Sequence, residues 1–194
     1  MLWFTSDTHF SHVRIIELCD RPFKDIQHHN EMLVKNWNEV VSLEDQVFHL
    51  GDVALGSFVD SIQYVGRLNG EKYLAAGNHD RVSSLESAAR QARFRPAYED
   101  VFHEVLSERE DVLIGGHSVQ MSHYPYSGDS HVDDRFAELR PHDDGRVLLH
   151  GHTHSKEKVS RSKAGTLQIH VGVDAWDYRP VSEAQILALI EENI

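Results

Sequence analysis

Five short polar clusters carry the side chains that could do chemistry: Asp7-Thr8-His9, Gly51-Asp52, Gly77-Asn78-His79-Asp80, His123-Tyr124-Pro125 and Gly151-His152-Thr153-His154. They offer carboxylate, amide and imidazole donors and no thiolate, a set that suits borderline or hard divalent ions such as manganese, iron or zinc. In Asp7-x-His9 and His152-x-His154 the i, i+2 spacing puts both side chains on one side of an extended backbone, so each pair can address one metal region. Asp7, His9, Asp52, Asn78, His123, His152 and His154 are more groups of this type than one ion takes. Two ions can share them if one carboxylate bridges, which sets the ions about 3.5–4 Å apart around a water acidified to hydroxide and aimed at an in-line displacement on phosphorus. His79-Asp80 is the only adjacent imidazole–carboxylate pair in the clusters, and it reads as a proton donor titrating near neutrality with its tautomer set by the carboxylate.

Each cluster follows a strand-like run. Residues 1–6, 46–50 and 72–76 alternate with helical patterns. Asp25 caps a helix with Ile26, Leu33, Trp37, Val40 and Val41 on one face. Ser57 caps another with Phe58, Ile62, Val65 and Leu68, and Gly70 lies just past its end. Ser83 and Glu86 have capping-box spacing and open a third helix, which runs to about Arg93 before Pro96. This alternation predicts parallel strands joined by crossovers. Beyond it, residues 101–106, 111–114, 118–123, 147–150 and 166–173 are strand-like runs between glycine- and aspartate-rich turns, which read as an antiparallel meander. Ser182 and Gln185 form a second capping box that opens a final helix.

A chain of 194 residues with 40% hydrophobic content reads as one domain spanning 1–194, able to bury roughly 70% of its unfolded surface. The formal net charge of −12 disfavours the basic footprint of a protein gripping long double-stranded nucleic acid. Cys19 is the single cysteine among these residues; it excludes an internal disulfide framework and points to a reducing, cytoplasmic setting. The apolar runs fall short of the roughly 18 residues that span a bilayer, and the first residues lack a basic start followed by a long apolar stretch, so neither membrane nor secretion is expected.

Taken in order, SDTH, GD, GNHD, SHYP and HGHTH resemble the calcineurin-like metallophosphoesterase superfamily, and the match spreads from Ser6 to His154. The extended strings FTSDTHFSH and HVGVDAWDYRP resemble its small bacterial and phage phosphoesterases. The resemblance implies an α/β (α+β) fold, a four-layer α/β/β/α sandwich of two mixed sheets flanked by helices. It implies two divalent ions, manganese being the expected pair and iron, zinc, nickel or cobalt the alternatives. Asp7, His9, Asp52 and His154 would hold the first ion, Asp52, Asn78, His123 and His152 the second, with Asp52 bridging. His79 would face the substrate, protonating the leaving oxygen or stabilising phosphoryl charge, and Asp80 would orient it.

Beyond the motifs, His12, Arg81 and His131 are candidates for substrate contact, and Asp174 and Trp176 for the rim of the site. Gly51, Gly77 and Gly151 read as tight turns or close backbone approaches. His123 comes only 44 positions after His79, and a helix and strands fill the interval, so no cap domain is expected and the site should be open. An open two-metal site with few basic residues points to a phosphodiesterase or phosphomonoesterase on small or nucleotide-like esters. The alternatives are a nuclease acting on nucleic-acid ends, or a non-catalytic metal-binding scaffold of the same fold, as in the retromer scaffold subunit. A metallo-β-lactamase-type hydrolase fits poorly: its H-x-H-x-D-H would need Asp at 154 and His at 155, where this chain has His154 and Ser155.

Overall fold

A computed structural model describes residues 1–194. In its first sheet β1 (Leu2–Thr5), β2 (Gln46–His49), β3 (Glu71–Leu74) and β4 (Glu104–Val105) run parallel, and β10 (Val181–Ser182) pairs antiparallel with β1 at the edge. The crossovers carry α1 (Ile15–Leu18), α2 (Ile26–Asn38), α3 (Phe58–Val65) and α4 (Ala88–Glu99). Strand alternation sends Trp3, Val47 and Leu74 outward against Leu33, Trp37, Phe58, Ile62 and Tyr98 of the helices. It sends Phe4 inward, to a core shared with the second sheet. Burying a side chain such as Phe4 fully contributes roughly 1.5–3 kcal/mol.

The second sheet has the order β5-β6-β7-β9-β8, built from β5 (Arg109–Ile114), β6 (His117–Ser122), β7 (Leu148–His150), β8 (Val159–Arg161) and β9 (Leu167–His170). It is not the expected meander. β5–β6 and β8–β9 are antiparallel, but β6–β7 and β7–β9 are parallel, and residues 101–106 supply β4 of the first sheet instead. The physical reason is the 123–147 connection, which crosses the outer face of the sheet rather than turning back. Gln120, Leu148 and Gln168 stand in one row there. Tyr126 donates from its hydroxyl to Gln120 at 2.9 Å, and the Ser127 amide donates to Gln168 Oε1 at 3.1 Å. The two mixed sheets are thus flanked by helices, with α5 (Glu183–Asn193) inserting Ile186 and Ile190 into the core between them.

Cap chemistry places several boundaries as expected. Asp25 accepts from the His28 amide at 2.7 Å, and Ser182 with Gln185 completes a capping box. Other boundaries move. α2 ends at Asn38, before Val40 and Val41. α3 ends at Val65 with Gly66 at its cap, while Gly70, at φ +87°, serves the turn into β3. α4 opens at Ser87 rather than Ser83 and continues through Pro96 to Glu99. Ser83 is already engaged in the turn after β3, its amide donating to the Asp80 carbonyl at 3.1 Å. The burial of Tyr98 beyond Pro96 outweighs the one backbone hydrogen bond that the proline removes.

Candidate metal centre

The five clusters follow the ends of β1, β2, β3, β6 and β7, so parallel strands from both sheets deliver them to one edge of the molecule. Backbone bonds stitch the loops together: Asp7 to the Gly51 carbonyl (3.0 Å), His9 to that of Asp52 (3.0 Å), and Gly151 to that of His123 (3.0 Å). The paired residues converge by a route other than the extended backbone expected for them. Asp7, His9, Asp52, His152 and His154 all have φ between 47° and 69°, a left-handed conformation that non-glycine residues keep only where the surroundings impose it. Gly77 allows a close approach, because a Cβ there would meet the Asp52 carboxylate and the Asp52 amide nitrogen.

Asp52 stands between two groups of donors. Its Oδ2 lies 3.5 Å from His9 Nε2, and its Oδ1 lies 3.7 Å from His123 Nε2. On the first side, ligand atoms of Asp7, His9 and His154 come within 4.8 Å of one another. On the second, Asn78 Oδ1 lies 3.1 Å from His123 Nε2 and 3.0 Å from His152 Nδ1. The ring protons are engaged elsewhere. His123 Nδ1–H donates to the Leu50 carbonyl (2.7 Å) and His152 Nε2–H to Asp129 (3.0 Å), which leaves three lone pairs converging in the neutral state. His9 is buried with neither ring nitrogen hydrogen-bonded. Buried polar atoms without partners are costly, and a cation among such donors removes the cost. The residues therefore fit a pair of divalent ions.

The electrostatics agree. Burial opposes ionisation of Asp7, yet the surrounding imidazoles, His154 foremost, hold its carboxyl well below the usual range. Burial pushes His9 well down and His152 down to about 4, so both rings are neutral and can offer lone pairs. His154 is pushed up to about 11 by Asp7 and by Asp174 against the effect of burial.

A cavity of about 430 Å³ opens over these groups. His79 lies on its open side with its side chain 44% exposed, its amide donating to Asp52 Oδ1 at 2.9 Å and its Nε2 4.0 Å from Asp52 Oδ2. Asp80 takes a different place from the one expected beside the His79 ring. Its carboxylate accepts from the amides of Asp52 (2.8 Å), Gly77 (2.8 Å) and Val53 (3.2 Å) and from the Tyr98 hydroxyl (3.3 Å), bracing the two turns. His12 and His131 line the cavity. Arg81 does not: its guanidinium lies against the Phe58 and Phe94 rings, 4.9 and 4.5 Å from their centroids.

Asp174 and Trp176 are interior rather than at the rim. Asp174 Oδ2 accepts from His154 Nδ1 at 3.0 Å and from Arg21 at 2.8 Å. Trp176 donates to the His170 carbonyl at 2.8 Å. Two residues that no motif flagged complete the surroundings, namely Asp129 behind His152 and Arg21 behind Asp174. The available signal was slight: an aspartate after Ser127-Gly128 and an arginine before Pro22, both ordinary loop residues by type.

The whole arrangement has known counterparts. Residues 1–189 match the family model described as the calcineurin-like phosphoesterase superfamily domain, and the chain belongs to that family. Its ligand chemistry is accordingly that of divalent metal ions. The Gene 66 protein of Mycobacterium phage L5 is 40% identical over 197 residues, covering 97% of this chain and 93% of that protein. An uncharacterized protein of Methanocaldococcus jannaschii is 30% identical over 196 residues, covering 99% and 92%. Among solved structures, a protein of unknown function from Aquifex aeolicus has a TM-score of 0.72 at 25% identity, covering 97% of this chain and 98% of that one.

Proposed function

We propose that this protein hydrolyses phosphoester bonds of small, accessible esters, nucleotide-like compounds included, using two divalent cations held around Asp52. The observation that carries the reading is the Asp52 carboxylate, with one oxygen toward His9 and the other toward His123. Asp7, His9, Asp52 and His154 would hold one ion, and Asp52, Asn78, His123 and His152 the other, with manganese the expected occupant. Such a pair, when bound, supplies a hydroxide near neutral pH and offsets the charge that builds on a phosphoryl group.

The protein's own groups do the rest. His79 reaches the open cavity and can give a proton to the leaving oxygen. Asp80 acts one step back, holding the Asp52 and Gly77 backbone that positions this ring. His12, its ring centroid 6.4 Å from that of His79, and His131 can contact the ester. The stretch from His79 to His123 holds α4 and β4 to β6, which supports one catalytic unit over 1–194 without a cap. No helix is long and apolar enough to cross a membrane. A cytoplasmic site of action suits the free thiol of Cys19.

The test is turnover of bis-p-nitrophenyl phosphate against p-nitrophenyl phosphate with manganese, followed by cyclic and linear nucleotides and single-stranded nucleic acid. Hydrolysis of the small esters is expected. Zero turnover across metals and substrates, together with tight capture of a protein partner, would favour a scaffold instead.

A further inference from the structure

The 123–147 connection does more than cover the second sheet. The Asp129 side chain has no solvent exposure, and its carboxylate gathers seven donors. Besides the Ser130 hydroxyl at 3.4 Å, they are His152 Nε2 at 3.0 Å, Arg135 Nε and Nη2 at 3.1 and 2.8 Å, Arg140 Nη2 at 3.2 Å, and the amides of His131 (3.2 Å) and Arg135 (3.0 Å). Ser130, His131 and Arg135, which this knot holds in place, form one wall of the cavity.

We infer that Asp129 is a positioning residue that fixes the tautomer of His152 and, through the same carboxylate, holds the Ser130–Arg135 wall over the cation site. An ionised carboxylate only accepts, so the ring proton stays on Nε2 and the Nδ1 lone pair faces Asn78 Oδ1. Without Asp129 the proton can move to Nδ1 and donate to Asn78 Oδ1 across the same 3.0 Å. That internal hydrogen bond occupies two of the atoms a cation needs. The cation site and the recognition wall are therefore tied to one side chain, which belongs to neither.

This inference rests on the two-cation reading, and the experiment separates the two. Manganese is titrated calorimetrically into the full chain after chelation. The wild type should take up two ions. Asp129→Ala should bind one of them about 10–100-fold more weakly and the other as before. Arg135→Ala removes a wall residue and leaves the Asp129–His152 contact, so it should keep both manganese affinities while raising KM for p-nitrophenyl esters more than it lowers kcat. In the zinc-loaded wild type, nitrogen-15 NMR should show the His152 proton on Nε2, a readout that holds even if Asp129→Ala fails to fold. A wild type that binds no manganese overturns the functional reading and this inference with it. Two ions bound equally well by wild type and Asp129→Ala, or a His152 proton on Nδ1, overturns the inference alone.

Discussion

Arg21 and Asp174, 153 positions apart in the chain, form a two-pronged buried ion pair, with Nε to Oδ1 and Nη2 to Oδ2 both at 2.8 Å. Arg21 also donates to the Asp7 carbonyl at 2.8 Å, and Asp174 also accepts from His154, so the pair joins the first and last loops of the candidate metal centre. Arg21→Ala strands a buried carboxylate and should cost about 3–5 kcal/mol in urea denaturation. Arg21→Lys cannot reproduce the fork and should recover only part of that loss.

His79→Asn should keep the uptake of two manganese ions, because His79 is outside both donor groups. It should lower kcat about 10²–10⁴-fold on esters with poor leaving groups. The loss should be much smaller on p-nitrophenyl esters, whose leaving oxygen needs little protonation. Equal losses on both would remove the proton-donor role.

Gly77→Ala drives a methyl group into the Asp52 carboxylate and should abolish high-affinity manganese binding. Gly116→Ala, in the β5–β6 turn at φ +90° with open space around it, carries only the backbone strain, about 1–2 kcal/mol. It should leave manganese binding intact, as calorimetry on the two variants will show.

Asp143 fastens the turn before β7 to the β8–β9 hairpin, accepting from Ser162, Thr166 and the Gly145 amide. Burial opposes its charge, but these hydrogen bonds, Ser162 foremost, hold its carboxyl below the ordinary value. Because the folded-state value is the lower one, the stabilisation is present above the unfolded pKa of about 3.9 and fades as pH falls through the folded value. Asp143→Asn should therefore be less stable than wild type by on the order of 1–2 kcal/mol at pH 6. The gap should narrow below about pH 4, measured by urea denaturation at each pH.

What could be read from the sequence was what depends on near neighbours. The caps at Asp25 and Ser182 are local hydrogen-bond chemistry, and the five clusters carry their own motif spacing. The direction of β7 could not be read, because alternation marks a strand without saying which way it runs relative to its partner. The left-handed backbone at Asp7 and His152 is imposed by contacts between loops, so the i, i+2 rule brought Asp7 and His9 to one side of Asp52 through the wrong geometry and failed for His152 and His154, which fall in different donor groups. Asp129 and Arg21 escaped notice because their partners lie 23 and 153 positions away, and Arg81, expected at the substrate, is held instead against the Phe58 and Phe94 rings.

The most direct test of the central claim is anomalous diffraction at the manganese edge from crystals of the full chain grown with manganese. Two peaks about 3.5–4 Å apart, one on each side of the Asp52 carboxylate, are predicted, with at least one lost in Asp52→Asn. A single peak, or two peaks with neither touching Asp52, would contradict the account.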